Sequence, residues 1–331
     1  MALNLFNKWQ PGSPIKGIYH SELCYIIAVM MKIVIAGTGG LAQYIAHYLQ
    51  AQTSHHFILL SRSTQPSLSA RGWQVILVDY TKSSSLSYAL AGADVVISTI
   101  TDNQQLYLID AAVHVGVRRF IPAEYEGPPG MRPPGDILDR GRSAALRRLE
   151  HYAQYMEYTA IVCGIFYERF SPGGLASCAI GHGSGIDAEG AYLMDIRTRS
   201  AKIPQYNDVG GEVHACMTSA QDVAKFIIAA LSLPNWPPEL RVYGERLRPS
   251  DIVFEAELLR GTFPQKSYYN SVSLSSAVQL APTLQERLSW QSLLATSQGC
   301  YDFSNENLPT LIPSVRPVRF REWLRVAWNG A

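Results

Sequence analysis

From Lys32 onward, short apolar runs alternate with stretches whose apolar positions recur every three or four residues. Ile33-Val-Ile35, Phe57-Ile-Leu-Leu60, Val75-Ile-Leu-Val78, Asp94-Val-Val-Ile97 and Arg119-Phe-Ile-Pro122 read as buried strands. Between them, Tyr44, Ile45, Tyr48 and Leu49 keep a helical period, as do Ser83 to Ala91 and Asn103 to Val115, the last closed by Gly116. A further helix is predicted over Asp139 to Tyr155 and a sixth strand over Tyr158 to Gly164. Strict alternation of strand and helix predicts an α/β protein with a doubly wound parallel sheet. Later elements include a helix that begins within Met217 to Ala224, with Ser219 as N-cap and Asp222 in its first turn. Another helix opens at Pro249, and Phe320 to Trp328 forms a terminal amphipathic one.

The turn after the first strand carries chemistry. Gly37, Gly39 and Ala42 make G-x-G-x-x-A between a strand and a helix, the setting in which backbone approaches a pyrophosphate at a helix N-terminus. Gly37, Thr38, Gly39, Gly40, Leu41 and Ala42 are therefore expected to bind a dinucleotide. The second strand ends in Ser61-Arg62-Ser63, with no carboxylate to hold a free ribose 2′-hydroxyl. Arg62 is placed to meet a 2′-phosphate, so the expected cofactor is NADPH. Asp79, Ser98, Thr99 and Pro122 end later strands and are expected to border it. The loop Ala123 to Gly135, rich in proline and glycine, leaves the same sheet edge, where loops carry function. Gly181 to Gly190 reads equally as a cover for a ligand or as a surface loop.

Composition narrows the partners. The 331 residues are 47% hydrophobic and 17% charged, with a net charge of +1, which favours neither nucleic acid nor an anionic membrane. No segment has the roughly 20 uninterrupted apolar residues of a membrane helix. Five scattered cysteines without C-x-x-C suggest neither a disulfide framework nor a zinc site, and a cytoplasmic location is expected. His182 and His214 stand alone, so no metal is expected. Residues 1–29 look like an extension ahead of the fold, and Met30 or Met31 could be the natural start. The length suggests one large domain or a nucleotide-binding domain with a smaller partner.

Three stretches together are more specific than the glycine loop: Ile35-Ala-Gly-Thr-Gly-Gly-Leu-Ala42, Gly116-Val-Arg-Arg-Phe-Ile-Pro-Ala-Glu-Tyr125 and Tyr158-Thr-Ala-Ile-Val-Cys-Gly-Ile-Phe166. With Tyr301-Asp-Phe303, Asn307-Leu-Pro309 and Phe320-Arg-Glu-Trp323, they resemble the NmrA-like, isoflavone-reductase-like branch of the atypical short-chain dehydrogenases, fungal secondary-metabolism members in particular. The resemblance implies a division into the 1–29 extension, a dinucleotide-binding Rossmann domain over 30–165 and a smaller, mainly substrate-binding domain over 166–331 with segments returning to the Rossmann core. It also implies NADPH-dependent reduction of a C=N, C=C or C=O bond in a small metabolite. A monomer or homodimer is expected. Plant members carry a lysine one turn before an Arg-Arg pair; here the pair is Arg147-Arg148, and the lysine position is Ser143, preceded by Arg142. Arginine is a poor general acid and a good anion clamp.

Tyr125, Arg142 and Tyr167 are the expected catalytic residues, with Glu124, Glu126, Phe166 and Glu168 on the substrate and Arg169 as a further pocket candidate. An iminium substrate, with carboxylates favouring the cation, would tolerate the missing lysine. Two alternatives stay open: an NADP(H)-sensing regulator without turnover, and a non-redox isomerase or rearrangement enzyme on the same fold.

Overall fold

The computed structural model describes residues 30–329; the extension at 1–29 lies outside them. Six parallel strands form the central sheet: β1 (Lys32–Ala36), β2 (His56–Ser61), β3 (Val75–Leu77), β4 (Val95–Ser98), β5 (Arg119–Ile121) and β6 (Glu157–Tyr158). Their order is β3-β2-β1-β4-β5-β6, so the winding reverses between β1 and β4. In such a sheet, ligands bind at the carboxyl ends of the strands beside that reversal. Helices α1 (Gly40–Gln52), α2 (Pro66–Ser69), α3 (Ser83–Leu90), α4 (Asp102–His114) and α5 (Arg142–His151) follow the first five strands in turn.

Two faces are sealed by separate cores. On one, Ile33, Ile35, Leu59 and Ile97 pack with Leu41, Ile45 and Leu49 of α1. That core also takes Leu175 from the short α6 (Gly174–Ser177) and Val223, Phe226 and Ile227 from α7 (Ala220–Ala230), a helix from late in the chain. Ser219 caps α7, its Oγ accepting the Asp222 N–H at 3.1 Å, and Asp222 accepts the Val318 N–H at 2.8 Å, so this acid is structural. On the other face Val34, Leu60, Val96 and Phe120 pack with α3, α4 and α5. A third core joins Tyr167, Phe170 and Phe320 to the helices Pro249–Arg260 and Leu284–Ser297.

The expected sixth strand, Tyr158 to Gly164, is broken. Glu157–Tyr158 ends the main sheet, β7 (Ala160–Val162) pairs with Glu239–Arg241, and β8 (Ile165–Phe166) joins Ala215–Thr218. The hinge is Gly164, with φ +70°. A Cβ there would stand 2.0 Å from the Cys216 carbonyl oxygen, so only glycine lets the two strands meet. The helix expected over Asp139 to Tyr155 is also shorter, Arg142–His151. Arg140 and Gly141 both have positive φ, and Asp139 accepts the Ser143 N–H at 3.0 Å, which fixes the start of α5.

Candidate active site

A groove of about 750 Å³ runs along the carboxyl ends of β1, β2 and β4. Gly37, Thr38 and Gly39 line it at β1, Ser61 and Arg62 at β2, and Thr99, Ile100 and Thr101 at β4. Its shape and position suit a dinucleotide spanning the winding reversal. Tyr80, Gln65, Gln104 and Arg140 also line it and carried no sequence signal. A segment from the C-terminal half crosses the start of α1. The Gly40 N–H donates to the Ala179 carbonyl at 2.7 Å, and a Cβ on Gly40 would fall 1.8 Å from the Cys178 oxygen.

Next to the groove lies a cavity of about 170 Å³. Its floor is Gly39, Gly40, Leu41, Ala42 and Thr99, shared in part with the groove. Its walls bring together Tyr125 and Glu126 from the loop after β5, Arg142 from α5, Phe166 at the end of β8 and Arg169 just beyond it. Ile137, Leu138, Ile180 and Ile186 make it largely apolar.

The polar end is built around Glu126. Its Oε2 is 2.7 Å from Arg142 Nη1, and its Oε1 is 4.0 Å from Arg169 Nη2. Burial pushes this carboxyl up, but Arg142 and Arg169 outweigh it and hold it below the usual carboxylate range. Arg142 also donates from Nε to the Asp139 carbonyl and from Nη2 to the Leu138 carbonyl, which fixes the guanidinium plane. Ser143, at the position of the family lysine, donates to Asp139 at 2.6 Å and is absent from the cavity wall.

Several expected site residues are placed elsewhere. Tyr167 is fully buried in the third core, tilted against the Phe320 and Trp323 rings, and its hydroxyl donates to the Val318 carbonyl at 3.2 Å. Glu168 accepts the Ala220 N–H on both oxygens at 3.0 Å, capping α7. Glu124 lies behind the cavity against Arg132 and Arg142, and its Oε2 has no hydrogen-bond partner among the described residues. Asp79 sits at the end of edge strand β3, where Thr81 takes its carboxylate, outside the groove. Ser98 and Pro122 are buried beneath the site rather than lining it. Tyr125 does line the cavity, but its hydroxyl donates to the Ser98 carbonyl at 2.8 Å and is held away from proton transfer.

Two of these placements give expected outcomes. Tyr167→Phe should leave activity unchanged and cost about 1 kcal/mol of stability, the usual worth of one hydrogen bond; a hundred-fold fall in turnover would return Tyr167 to the site. Burial pushes the Glu168 carboxyl up to about 7. Its folded-state value then lies above the unfolded one, so stability is fullest below the unfolded pKa and falls as pH rises to 7. Glu168→Gln keeps an acceptor for Ala220 and should stabilise the protein at pH 8, on the order of 3 kcal/mol, with little effect at pH 4. Urea unfolding at both pH values checks this, and an equal effect at both would refute it.

No group of three or more His, Cys, Asp or Glu among the described residues is arranged to hold a metal, and no described helix is long and apolar enough to cross a membrane.

The glycine loop at the winding reversal, with an adjoining cavity bordered by a segment from the C-terminal half, defines an α/β protein of the Rossmann type. The NmrA-like family matches residues 31–253, and the chain belongs to that family. Oxidoreductase BOA1 of Botryotinia fuckeliana is 28% identical over 309 residues, covering 86% of this chain and 97% of that protein. Among solved structures, leucoanthocyanidin reductase with NADPH from Vitis vinifera superposes with a TM-score of 0.68 at 18% identity, over 88% of this chain and 98% of its own. A nucleoside-diphosphate-sugar epimerase from Staphylococcus aureus gives 0.67 at 18%, over 89% and 100%. At these identities the superpositions speak to the fold.

Proposed function

We propose that this protein is an NADPH-dependent reductase of a small, largely apolar metabolite, and that the bond reduced is a carbonyl or a C=C bond conjugated to one. The observation that carries the reading is the shared floor: Gly39 and Thr99 line both the dinucleotide groove and the apolar cavity. Relatives named as oxidoreductases and a neighbour holding NADPH support it. Gly37 to Gly39 would hold the diphosphate, Arg62 the 2′-phosphate, and Thr99 to Thr101 the nicotinamide end. NADPH, when bound, supplies the hydride.

The chain's own residues supply charge and exclusion of water. Arg142 and Arg169 face a cavity walled by apolar side chains, where fixed cations stabilise negative charge developing on a substrate oxygen. The same geometry disfavours the iminium expectation. Glu124 is matched by Arg132 and Arg142, Glu126 by Arg142, and Glu168 by the α7 backbone. None of these three carboxylates is left to favour a cation. With neither lysine nor a free tyrosine hydroxyl on the wall, the proton that completes reduction comes from water.

One observation favours a sensor instead. Ala179 takes the Gly40 N–H, so a bound diphosphate would have to displace the crossing segment or use its neighbours. Absorbance at 340 nm separates the readings. A panel of enones, aldehydes, ketones and cyclic iminium salts is expected to include an acceptor that oxidises NADPH. Tight NADPH binding with no turnover on any of them would favour the sensor.

A further inference from the structure

The cavity wall carries more positive than negative charge. Arg140, Arg142 and Arg169 line it against Glu126 alone. Arg140 has an exposed partner, Asp102, at 3.9 Å, and Arg142 has Glu126 at 2.7 Å. Arg169 has no carboxylate of its own: its nearest is the same Glu126, at 4.0 Å, beyond hydrogen-bond reach.

Arg169 is held rather than loose. It sits in a one-turn 3-10 helix, Tyr167–Phe170, whose Tyr167 and Phe170 are both in the third core. The Trp328 indole donates to the Phe170 carbonyl at 2.8 Å. The guanidinium lies over the Tyr192 ring, 5.6 Å from its centroid, and Nη1 donates to the Ile186 carbonyl at 3.2 Å. Its side chain is only 10% exposed. A guanidinium has five N–H donors in a planar fork. The hydrogen bond to Ile186 uses one of them, leaving a desolvated cation beside an apolar cavity. Buried charge is costly when its counter-ion is distant and shared, as Glu126 is here between Arg142 and Arg169, and an anion in the cavity would relieve it.

We propose that the cavity takes a small organic carboxylate on an apolar body, anchored by Arg169 with Arg142 beside it. Arginine meets a carboxylate through two parallel N–H···O bonds, which also fixes the ligand's orientation. Ile137, Leu138, Phe166 and Ile186 would enclose the body. The proposal rests on reading this cavity as the substrate site.

The test uses the full chain saturated with NADP+ and, separately, the chain alone. Binding of hexanoate, benzoate and cinnamate is measured by calorimetry against the matching primary amides, which keep the shape and lose the charge. At least one carboxylate should bind ten- to hundred-fold tighter than its amide, the range expected of charge-assisted hydrogen bonds. Arg169→Gln should bring the pair within two-fold, and Arg169→Lys should keep part of the preference. If the glutamine variant does not fold, the lysine variant and the salt dependence of wild-type binding carry the test; binding that is indifferent to both overturns the proposal.

Equal affinity of every acid and amide, or no binding of any carboxylate, overturns it. So does an Arg169→Gln variant that loses NADP+ while keeping the carboxylate preference, since the arginine would then serve the cofactor. A clear preference for carboxylates with no NADPH oxidation by any acceptor would sink the reductase reading and leave the anion site standing.

Discussion

Arg142→Met is expected to lower the unfolding free energy by roughly 3–5 kcal/mol, the cost of breaking a buried ion pair by removing one partner. The side chain is 7% exposed and stands 2.7 Å from Glu126 and 3.9 Å from Glu124. Methionine fills much of the volume but answers neither carboxylate, and it abandons the Asp139 and Leu138 carbonyls. Adding Glu126→Gln should recover part of the loss, because the stranded charge disappears with it. Urea unfolding of the two single variants and the double variant at pH 7 gives the coupling. A loss below 1 kcal/mol for Arg142→Met would show that the pair is solvated and that the cavity end is not the low-dielectric site described above.

Gly164→Ala should be nearly as damaging, at roughly 3 kcal/mol or more, from left-handed backbone strain together with overpacking. The added Cβ would meet the backbone of Cys216, at 2.0 Å from its oxygen and 2.5 Å from its carbon, so no side-chain rotation can relieve it. Gly164 lines the cavity and is the point where the chain leaves the parallel sheet side for β8. The substitution should therefore also weaken ligand binding in whatever fraction remains folded. A midpoint within the error of the parent in urea would show that the contact between β8 and Ala215–Thr218 is dispensable.

Much of the architecture was legible because burial on both faces leaves a plain signature. Short continuous runs such as Ile33–Ile35 and Val95–Ile97, too short for helices and alternating with helical periods, read as central parallel strands. The breaks were not legible: Tyr158 to Gly164 reads as one strand, and only tertiary contact decides that Tyr158 ends the main sheet, that Ala160–Val162 pairs with Glu239–Arg241, and that the chain turns at Gly164 into a third sheet at β8. At the site, the loop after Pro122 and the start of α5 do bring Tyr125, Glu126 and Arg142 onto one cavity. At the end of β8, Phe166 is extended and lines the cavity, whereas Tyr167 opens the 3-10 helix and turns into the third core. The tight turn then returns Arg169 to the cavity and leaves Glu168 on α7. Arg140 and the apolar wall at Ile137 and Leu138 lie in an irregular loop, where neither period nor motif marks a side chain's direction.

The cofactor assignment is the claim on which the rest stands, and Arg62 tests it most directly. Arg62 is exposed at the rim of the groove, at the end of β2, with no acidic neighbour in Ser61 or Ser63. Fluorescence titration of the full chain with NADPH and NADH should show NADPH bound tighter by about one to two decades, at 1.4 kcal/mol per decade for a charge-assisted contact. Arg62→Ala should remove most of that difference and leave NADH nearly unchanged. Equal affinity of the unaltered protein for the two dinucleotides would contradict the account.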